Sequence, residues 1–144
     1  DREGQIILKK YSPIGELNNF AEEYAEALVQ TTGLTACITD RDVVVAAAGS
    51  GSRELDGKEI STELDEVISG REARLINGTD REDVSVILGH KDSFTGKMIQ
   101  PILCASDAIG SVILLGKSDK NVLGEKERAL VKTAASFLGR QMEQ

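Results

Sequence analysis

The stretch KMIQPILCASDAIGSVILLGK, residues 97–117, holds two apolar, β-rich runs on either side of a Ser106-Asp107 turn. Runs of this length and composition predict two neighbouring strands, 97–105 and 108–117, at the centre of a sheet. Pro101 has no backbone N–H for a strand ladder, so it indicates an edge, a bulge or an unpaired side of the first strand. The rest of the fold is predicted outward from this pair.

Two shorter β-rich runs upstream predict a hairpin. Residues 34–39 and 43–48 flank the polar turn Asp40-Arg41-Asp42. A further strand is predicted over 73–76. The apolar residues 84–88 indicate another strand inside a long connection from 79 to 95.

Three helices are predicted around these strands. The first begins at Ser12-Pro13 and ends at Gly33, a short amphipathic helix spans about 60–68, and the last runs from about 124 to 142. In both long helices the apolar arc is wider than one sheet face would cover, which indicates a second contact surface. This order predicts an α+β domain, an antiparallel sheet with its terminal helices on one face.

Composition limits the function classes. The chain has 144 residues, enough for one domain, and a formal charge of −7, which repels nucleic acid backbones and anionic lipid. No leader or membrane-length apolar run is visible, so a cytoplasmic protein without a membrane partner is expected. Residues 1–11 predict a strand that lacks a partner, so we interpret them as the remnant of an upstream structure, with the domain over 12–144.

Three stretches carry a family resemblance: DREGQIILKKYSPI at 1–14, TDRDV at 39–43 and FLGRQMEQ at 137–144. They resemble the stage V sporulation protein T family of endospore-forming bacteria. The resemblance implies a carboxyl-terminal GAF domain behind the last strand of a swapped-hairpin DNA-binding domain. It also implies a sporulation transcription regulator, both activator and repressor, that forms homo-oligomers, a dimer or, when intact, a tetramer. DNA contacts would lie in the missing amino-terminal domain.

A GAF domain usually keeps a small-molecule pocket on the sheet face away from its terminal helices. Mapped onto this chain, the resemblance implies an effector pocket, of unknown ligand, whose candidates are Ser50, Ser52, Arg53, Ile60, Leu64, Arg81, His90 and Gln100. The alternative to an effector pocket is a solvated loop that covers a core already filled by side chains. The helical stripes give as oligomer-interface candidates Leu17, Phe20, Tyr24, Leu28, Leu130, Ala134, Phe137, Leu138 and Gln141.

No catalytic residue, metal site or cofactor is predicted. The Gly49–Ser52 loop lacks the Gly-Lys-Ser/Thr ending of a phosphate-binding loop, Asp40 and Asp42 are better explained by turn chemistry, and His90 is the lone histidine. Two alternative functions stay open. One is a purely structural oligomerisation domain, and the other is a GAF-type methionine sulfoxide reductase, which would need accessible thiolates at Cys37 and Cys104.

Overall fold

A computed structural model of the chain describes residues 18–77, 83–117 and 123–143. The described helices and strands follow the predicted order. The helices are α1 (Asn18–Thr32), α2 (Thr62–Gly70) and α3 (Glu125–Gln141), with a 3-10 turn at Ser52–Glu54. The strands are β1 (Thr35–Thr39), β2 (Val44–Ala48), β3 (Arg74–Ile76), β4 (Gly96–Cys104) and β5 (Asp107–Gly116).

The strands form one antiparallel sheet in the order β2-β1-β5-β4-β3. The long hairpin of β4 and β5 lies inside the sheet, and its register pairs Ile99 with Ile113. The β1–β2 hairpin joins through β1 to β5. Both predicted strand pairs are therefore confirmed. Pro101 lies beyond the residues of β4 that pair with β3, which is the unpaired side predicted for it.

The strand predicted over 84–88 is wrong. Ile87 forms an isolated bridge with Ile60, and the backbone N–H of Leu88 donates to Glu59 at 2.9 Å. The segment thus runs beside the residues that lead into α2 and does not join the sheet. Its β-branched side chains are explained by burial, since Val84 and Val86 are 4 % and 0 % exposed.

Local signals set the helix ends where the sequence indicates. The Ser61 hydroxyl accepts the N–H of Leu64 at 3.0 Å and caps α2. Gly33, with φ of 74°, ends α1. At α3 the Glu127 carboxylate accepts the N–H of Gly124 at 2.7 Å. The predicted start of the first helix at Ser12-Pro13 and the predicted strand over 1–11 lie outside the described residues.

The sheet separates two buried clusters. One lies under α1 and α3 and contains Ala25, Leu28, Met98, Val112, Leu114, Val131 and Leu138. The other lies under α2 and the segment from 83 to 95 and contains Cys37, Leu55, Leu64, Ile68, Val86, Phe94, Ile99 and Ile113. The terminal helices therefore share one face, as predicted, and α2 covers the opposite face.

Helix α3 approaches β4 closely at one glycine. A Cβ atom placed on Gly139 would lie 2.2 Å from the carbonyl oxygen of Leu103. A residue with any side chain would have to push the helix away from the strand, so glycine sets this helix–sheet distance.

Candidate functional site

The outer surface of the helix layer carries a cluster of aromatic side chains, which we call the aromatic ridge: Phe20, Tyr24 and Phe137. The ring centroid of Phe137 lies 6.4 Å from that of Phe20 and 5.6 Å from that of Tyr24. Phe20 is 48 % exposed and Phe137 is 38 % exposed. The ridge uses three of the five aromatic residues of the chain. Neighbouring large apolar rings left open to water are typical of a contact surface.

The structure divides the predicted interface residues into two groups. Phe20 and Phe137 are exposed, and Tyr24, Leu130 and Gln141 are half-buried at the surface. Three others pack into the chain's own core and are not surface residues: Leu28, Ala134 and Leu138. Helical spacing finds a stripe but does not show which edge of it faces the chain's own sheet. Leu17 lies outside the described residues.

On the opposite face, the space beneath α2 is filled by side chains and by a buried ammonium group. Lys97 on β4 is completely buried, and its Nζ contacts the carboxylates of Asp92 at 3.0 Å and Asp83 at 3.1 Å. It also donates to the carbonyl oxygen of Val84. A buried ammonium needs such partners, because isolation from water without them is very costly.

Asp92 is itself held by the backbone. Its Oδ2 accepts the N–H of Val86 at 3.0 Å, and its Oδ1 accepts the N–H of Phe94 at 3.2 Å. Lys97, Asp92 and Asp83, which we call the lysine cluster, therefore tie β4 to the segment from 83 to 95.

The structure places the candidate pocket residues in different surroundings. Leu64, on α2, and Ile60, just before it, belong to the buried cluster under α2, whereas Arg53 and His90 are exposed. Ser50 is exposed and Ser52 is half-buried, in the loop after β2. Arg81 lies outside the described residues.

Gln100 lies on the other face of the sheet. It alternates with Met98 and Ile102, which are in the cluster under the terminal helices, and it lines a groove of about 280 Å³ beside α3. Its expected place as the floor of a pocket under α2 is wrong, because neighbouring residues in a strand point to opposite faces.

Two further cavities lie near the predicted pocket. A cleft of about 310 Å³ opens at the edge of α2, lined by Glu63, Glu66, Val67, Arg74, Asp83 and Val84. Ser50 lines a different cavity of about 220 Å³, with residues at the start of β1 and the end of β5.

Arg41, in the turn of the first hairpin, fastens α2 to the sheet. Its guanidinium donates to Asp65 at 2.8 Å, to the Ser69 hydroxyl at 2.6 Å and to the carbonyl of Ala108 at 3.1 Å. The preceding Asp40 accepts the N–H groups of Asp42 and Val43 at 2.6 and 2.7 Å. Asp40 thus serves the turn, as the sequence predicts.

The two thiols differ in environment. Cys37, on β1, is buried in the apolar cluster under α2, and Cys104, at the end of β4, is half-buried. Burial, with a smaller contribution from the Asp92 charge and an opposing one from Lys97, raises the pKa of Cys37 from 9.0 to about 12. Since the thiolate is the reactive form, Cys37 is a poor nucleophile at neutral pH.

We expect Cys37 to resist iodoacetamide in the native protein at neutral pH and to react after unfolding in urea, with Cys104 reacting earlier.

The raised pKa of Cys37 also predicts a pH dependence of stability. The contribution of this thiol to the free energy of unfolding is complete below about pH 9 and is lost as the pH rises from 9.0 towards 12. The slope of unfolding free energy against pH over that range should be smaller in Cys37→Ala. Rapid native labelling of Cys37, mapped by mass spectrometry, would contradict both expectations.

Among the described residues, no group of three or more His, Cys, Asp or Glu side chains is placed to hold a metal ion. Within 18–77, 83–117 and 123–143, no helix is long and apolar enough to cross a membrane.

Comparison with known proteins decides the family. A family model described as "Stage V sporulation protein T C-terminal, transcription factor" matches residues 16–143. The chain belongs to this family. Stage V sporulation protein T of Bacillus subtilis (strain 168) is 41% identical over 144 residues, which cover 100% of this chain and 79% of that protein. The resemblance carried by the three quoted stretches is confirmed.

Solved structures confirm the GAF fold. The GAF domain of an Acinetobacter phosphoenolpyruvate-protein phosphotransferase matches with a TM-score of 0.73 and 12% identity, covering 88% of this chain and 81% of that one. A type II free methionine-R-sulfoxide reductase from Thermoplasma acidophilum matches with a TM-score of 0.66 and 10% identity, covering 88% and 94%. At such identities the likeness shows the fold alone.

Sequence reasoning missed the lysine cluster and the role of Arg41. A signal for the first was present, because Lys97 stands beside Met98 and Ile99 in a strand predicted to be central, where a charge needs a partner. The partner could not be named, because Asp92 lies in a segment without periodicity. For Arg41 the sequence shows only a polar turn.

Proposed function

We propose that this chain is the regulatory domain of a sporulation transcription regulator and that it joins copies of the protein through the outer surface of α1 and α3. The observation that carries the proposal is the aromatic ridge, in which the Phe137 ring contacts those of Phe20 and Tyr24, and in which Phe20 and Phe137 are 48 % and 38 % exposed. Burying such rings against a second copy removes apolar surface from water, at about 25 cal/mol per Å².

The family and the charge support the regulatory part of the proposal. The Bacillus subtilis relative is a stage V sporulation protein and the family is described as a transcription factor. A formal charge of −7 is unsuited to phosphate contacts, so DNA is held by another domain of the regulator, in the cytoplasm. The buried, protonated thiol of Cys37 argues against the reductase alternative.

Replacing Phe137 by Asp is expected to separate the copies. A carboxylate placed in an apolar contact loses its hydration, a cost of about 3 kcal/mol or more, which corresponds to association about 100-fold weaker. Sedimentation velocity over a concentration series measures the change. Leu88→Asp is the matched control, because Leu88 is 50 % exposed and lies on the face opposite the terminal helices.

Three results would contradict the assembly proposal. They are a wild-type chain that is monomeric at every concentration, a folded Phe137→Asp chain that associates like wild type, and a Leu88→Asp chain that separates equally. Near-wild-type circular dichroism and urea denaturation would show that each variant is folded.

A small-molecule effector is a second candidate function, favoured by the cleft of about 310 Å³ at the edge of α2. Asp83 lines this cleft and also contacts the Lys97 ammonium at 3.1 Å, so a charged ligand there would act on the lysine cluster. Native mass spectrometry of gently purified protein is the test. A defined mass retained by the wild type and lost in Glu66→Arg supports the sensor, and a bare chain supports the purely structural domain.

A further inference from the structure

A groove beside α3, which we call the basic groove, has a basic wall and a partly apolar floor. Its volume is about 280 Å³, and it lies between α3 and β4. The strand contributes Gln100, Pro101 and Leu103, and the bases that the helix contributes are Lys132 and Arg140. Among the described residues, neither those of α1 nor the rings of the aromatic ridge line it. The basic groove is therefore a surface separate from the ridge.

The wall of the groove is a row of cations along α3. Arg128, Lys132, Ser136 and Arg140 follow one another at intervals of four residues, so they lie along one side of the helix. All four are exposed. At 1.5 Å per residue, the row is about 18 Å long. From Arg128 to the end of α3 the helix contains no acidic residue. The row is thus an elongated strip of positive charge.

These cations have no ionic partner in the described part of the chain. The ion pairs there are those of Arg41 and Lys97, besides any made by Arg74. Glu143 also lines the groove, but it forms no ion pair with the row. Charges are screened over about 8 Å at physiological salt, so a partner in contact with the row is affected more by these cations than by distant acids.

Exposed leucines accompany the cations. Leu103 lines the groove and is 40 % exposed. Leu75, on β3, is 39 % exposed and pairs with Met98, a residue of the cluster under the terminal helices. Cross-strand partners point to the same face, so Leu75 lies on the face of the sheet that bears the groove. It is also the diagonal neighbour of Gln100. The two leucines therefore place apolar surface beside the row of cations.

We propose that the basic groove docks an acidic segment of another protein, one that carries apolar side chains between its carboxylates. The carboxylates pair with Lys132 and Arg140, and the apolar side chains contact Leu103 and Leu75. Charge complementarity argues for this occupant, because a row of unpaired cations on a chain with a formal charge of −7 is a local exception. This inference goes beyond the proposed function and does not depend on assembly through the aromatic ridge.

An acidic protein segment fits the groove better than a nucleic acid does. A duplex carries a dense array of phosphates, which a domain with a formal charge of −7 repels, whereas a short segment carries few charges. Proteins that hold single strands typically stack the nucleobases on aromatic rings. None of the described residues that line the groove is aromatic. The leucines instead suit the apolar side chains of a protein.

Selection from a random peptide library displayed on phage tests the class of partner. The wild-type chain is the bait, and a variant with Lys132→Glu and Arg140→Glu serves for counter-selection. The retained peptides should be enriched in Asp and Glu together with Leu, Ile and Phe, relative to the unselected library. The matched control variant carries Lys58→Glu and Lys91→Glu. Both of these lysines are exposed and outside the groove, so the net charge changes equally.

Fluorescence anisotropy of a labelled, retained peptide measures the effect of each variant. We expect Lys132→Glu with Arg140→Glu to weaken binding about tenfold or more, because like charges then face each other. Leu103→Ser should weaken it about threefold or more, through the loss of apolar contact. Lys58→Glu with Lys91→Glu should change it by about twofold at most, since these charges are screened from the groove. Circular dichroism checks that each variant is folded.

Several outcomes would overturn the inference. They are a library that yields no retained peptide, retained peptides without an excess of acids, and peptides that bind the Lys132→Glu, Arg140→Glu variant as tightly as wild type. An equal loss in the Lys58→Glu, Lys91→Glu control, or none in Leu103→Ser, would also overturn it. Labelled duplex DNA that binds wild type and is released by Lys132→Glu with Arg140→Glu would assign the groove to a nucleic acid instead.

Discussion

Replacing Lys97 by Met is expected to lower the free energy of unfolding by about 3–5 kcal/mol, because breaking a buried ion pair leaves a charge without its partner. Asp92 is 8 % exposed, and it would keep its two backbone N–H donors but lose the ammonium at 3.0 Å. Val84 would also lose the donor to its carbonyl oxygen. Urea denaturation followed by circular dichroism measures the change.

Two companion variants make this test specific. Lys91→Met removes an exposed lysine next to Asp92 and should change stability by less than about 0.5 kcal/mol. Lys97→Met combined with Asp92→Asn removes both charges, and it should be more stable than the sum of the single effects predicts. A Lys97→Met protein as stable as wild type would show that the lysine cluster does not hold the segment from 83 to 95.

Replacing Gly139 by Ala is expected to destabilise the domain by about 1–3 kcal/mol or more, because overpacking at a backbone atom requires the helix to move. The added Cβ would lie 2.2 Å from the carbonyl oxygen of Leu103, and a carbonyl in a paired strand has little freedom to shift. The intrinsic preference of a helix for Ala over Gly, about 1 kcal/mol, offsets only part of this cost. Since Phe137 is on the same helix, association should weaken as well.

Gly70→Ala is the matched control for this change. Gly70 is the last residue of helix α2, and a Cβ atom placed on it would have no neighbouring heavy atom within 4 Å. We expect the Gly70→Ala protein to be as stable as wild type or slightly more stable. Equal thermal midpoints for the Gly139→Ala and Gly70→Ala proteins would mean that α3 adjusts without cost and that the close approach is not a constraint.

The predictions from sequence were best where a short stretch of chain decides the structure. The two β-rich runs within residues 97–117, the Ser61 cap and the stop at Gly33 each depend on neighbours a few residues away, and all three predictions are confirmed. The run over 84–88 has the same local signal as a strand, but no sheet edge reaches it. Its apolar residues are instead explained by burial against α2.

The sequence by itself determined the order of the elements, the antiparallel pairing, the family and the breadth of the apolar arcs on the long helices. Only the tertiary structure decided which side chains of those arcs are free. Leu28 and Leu138 turn to the sheet, whereas Phe20 and Phe137 turn to water, because the rotation of each helix is set by packing against β1, β2 and β4. The lysine cluster was decided in the same way. Lys97 and Asp92 lie in two segments whose contact the sequence pattern does not predict. The free energy of a buried charge depends on which groups lie beside it in the folded chain.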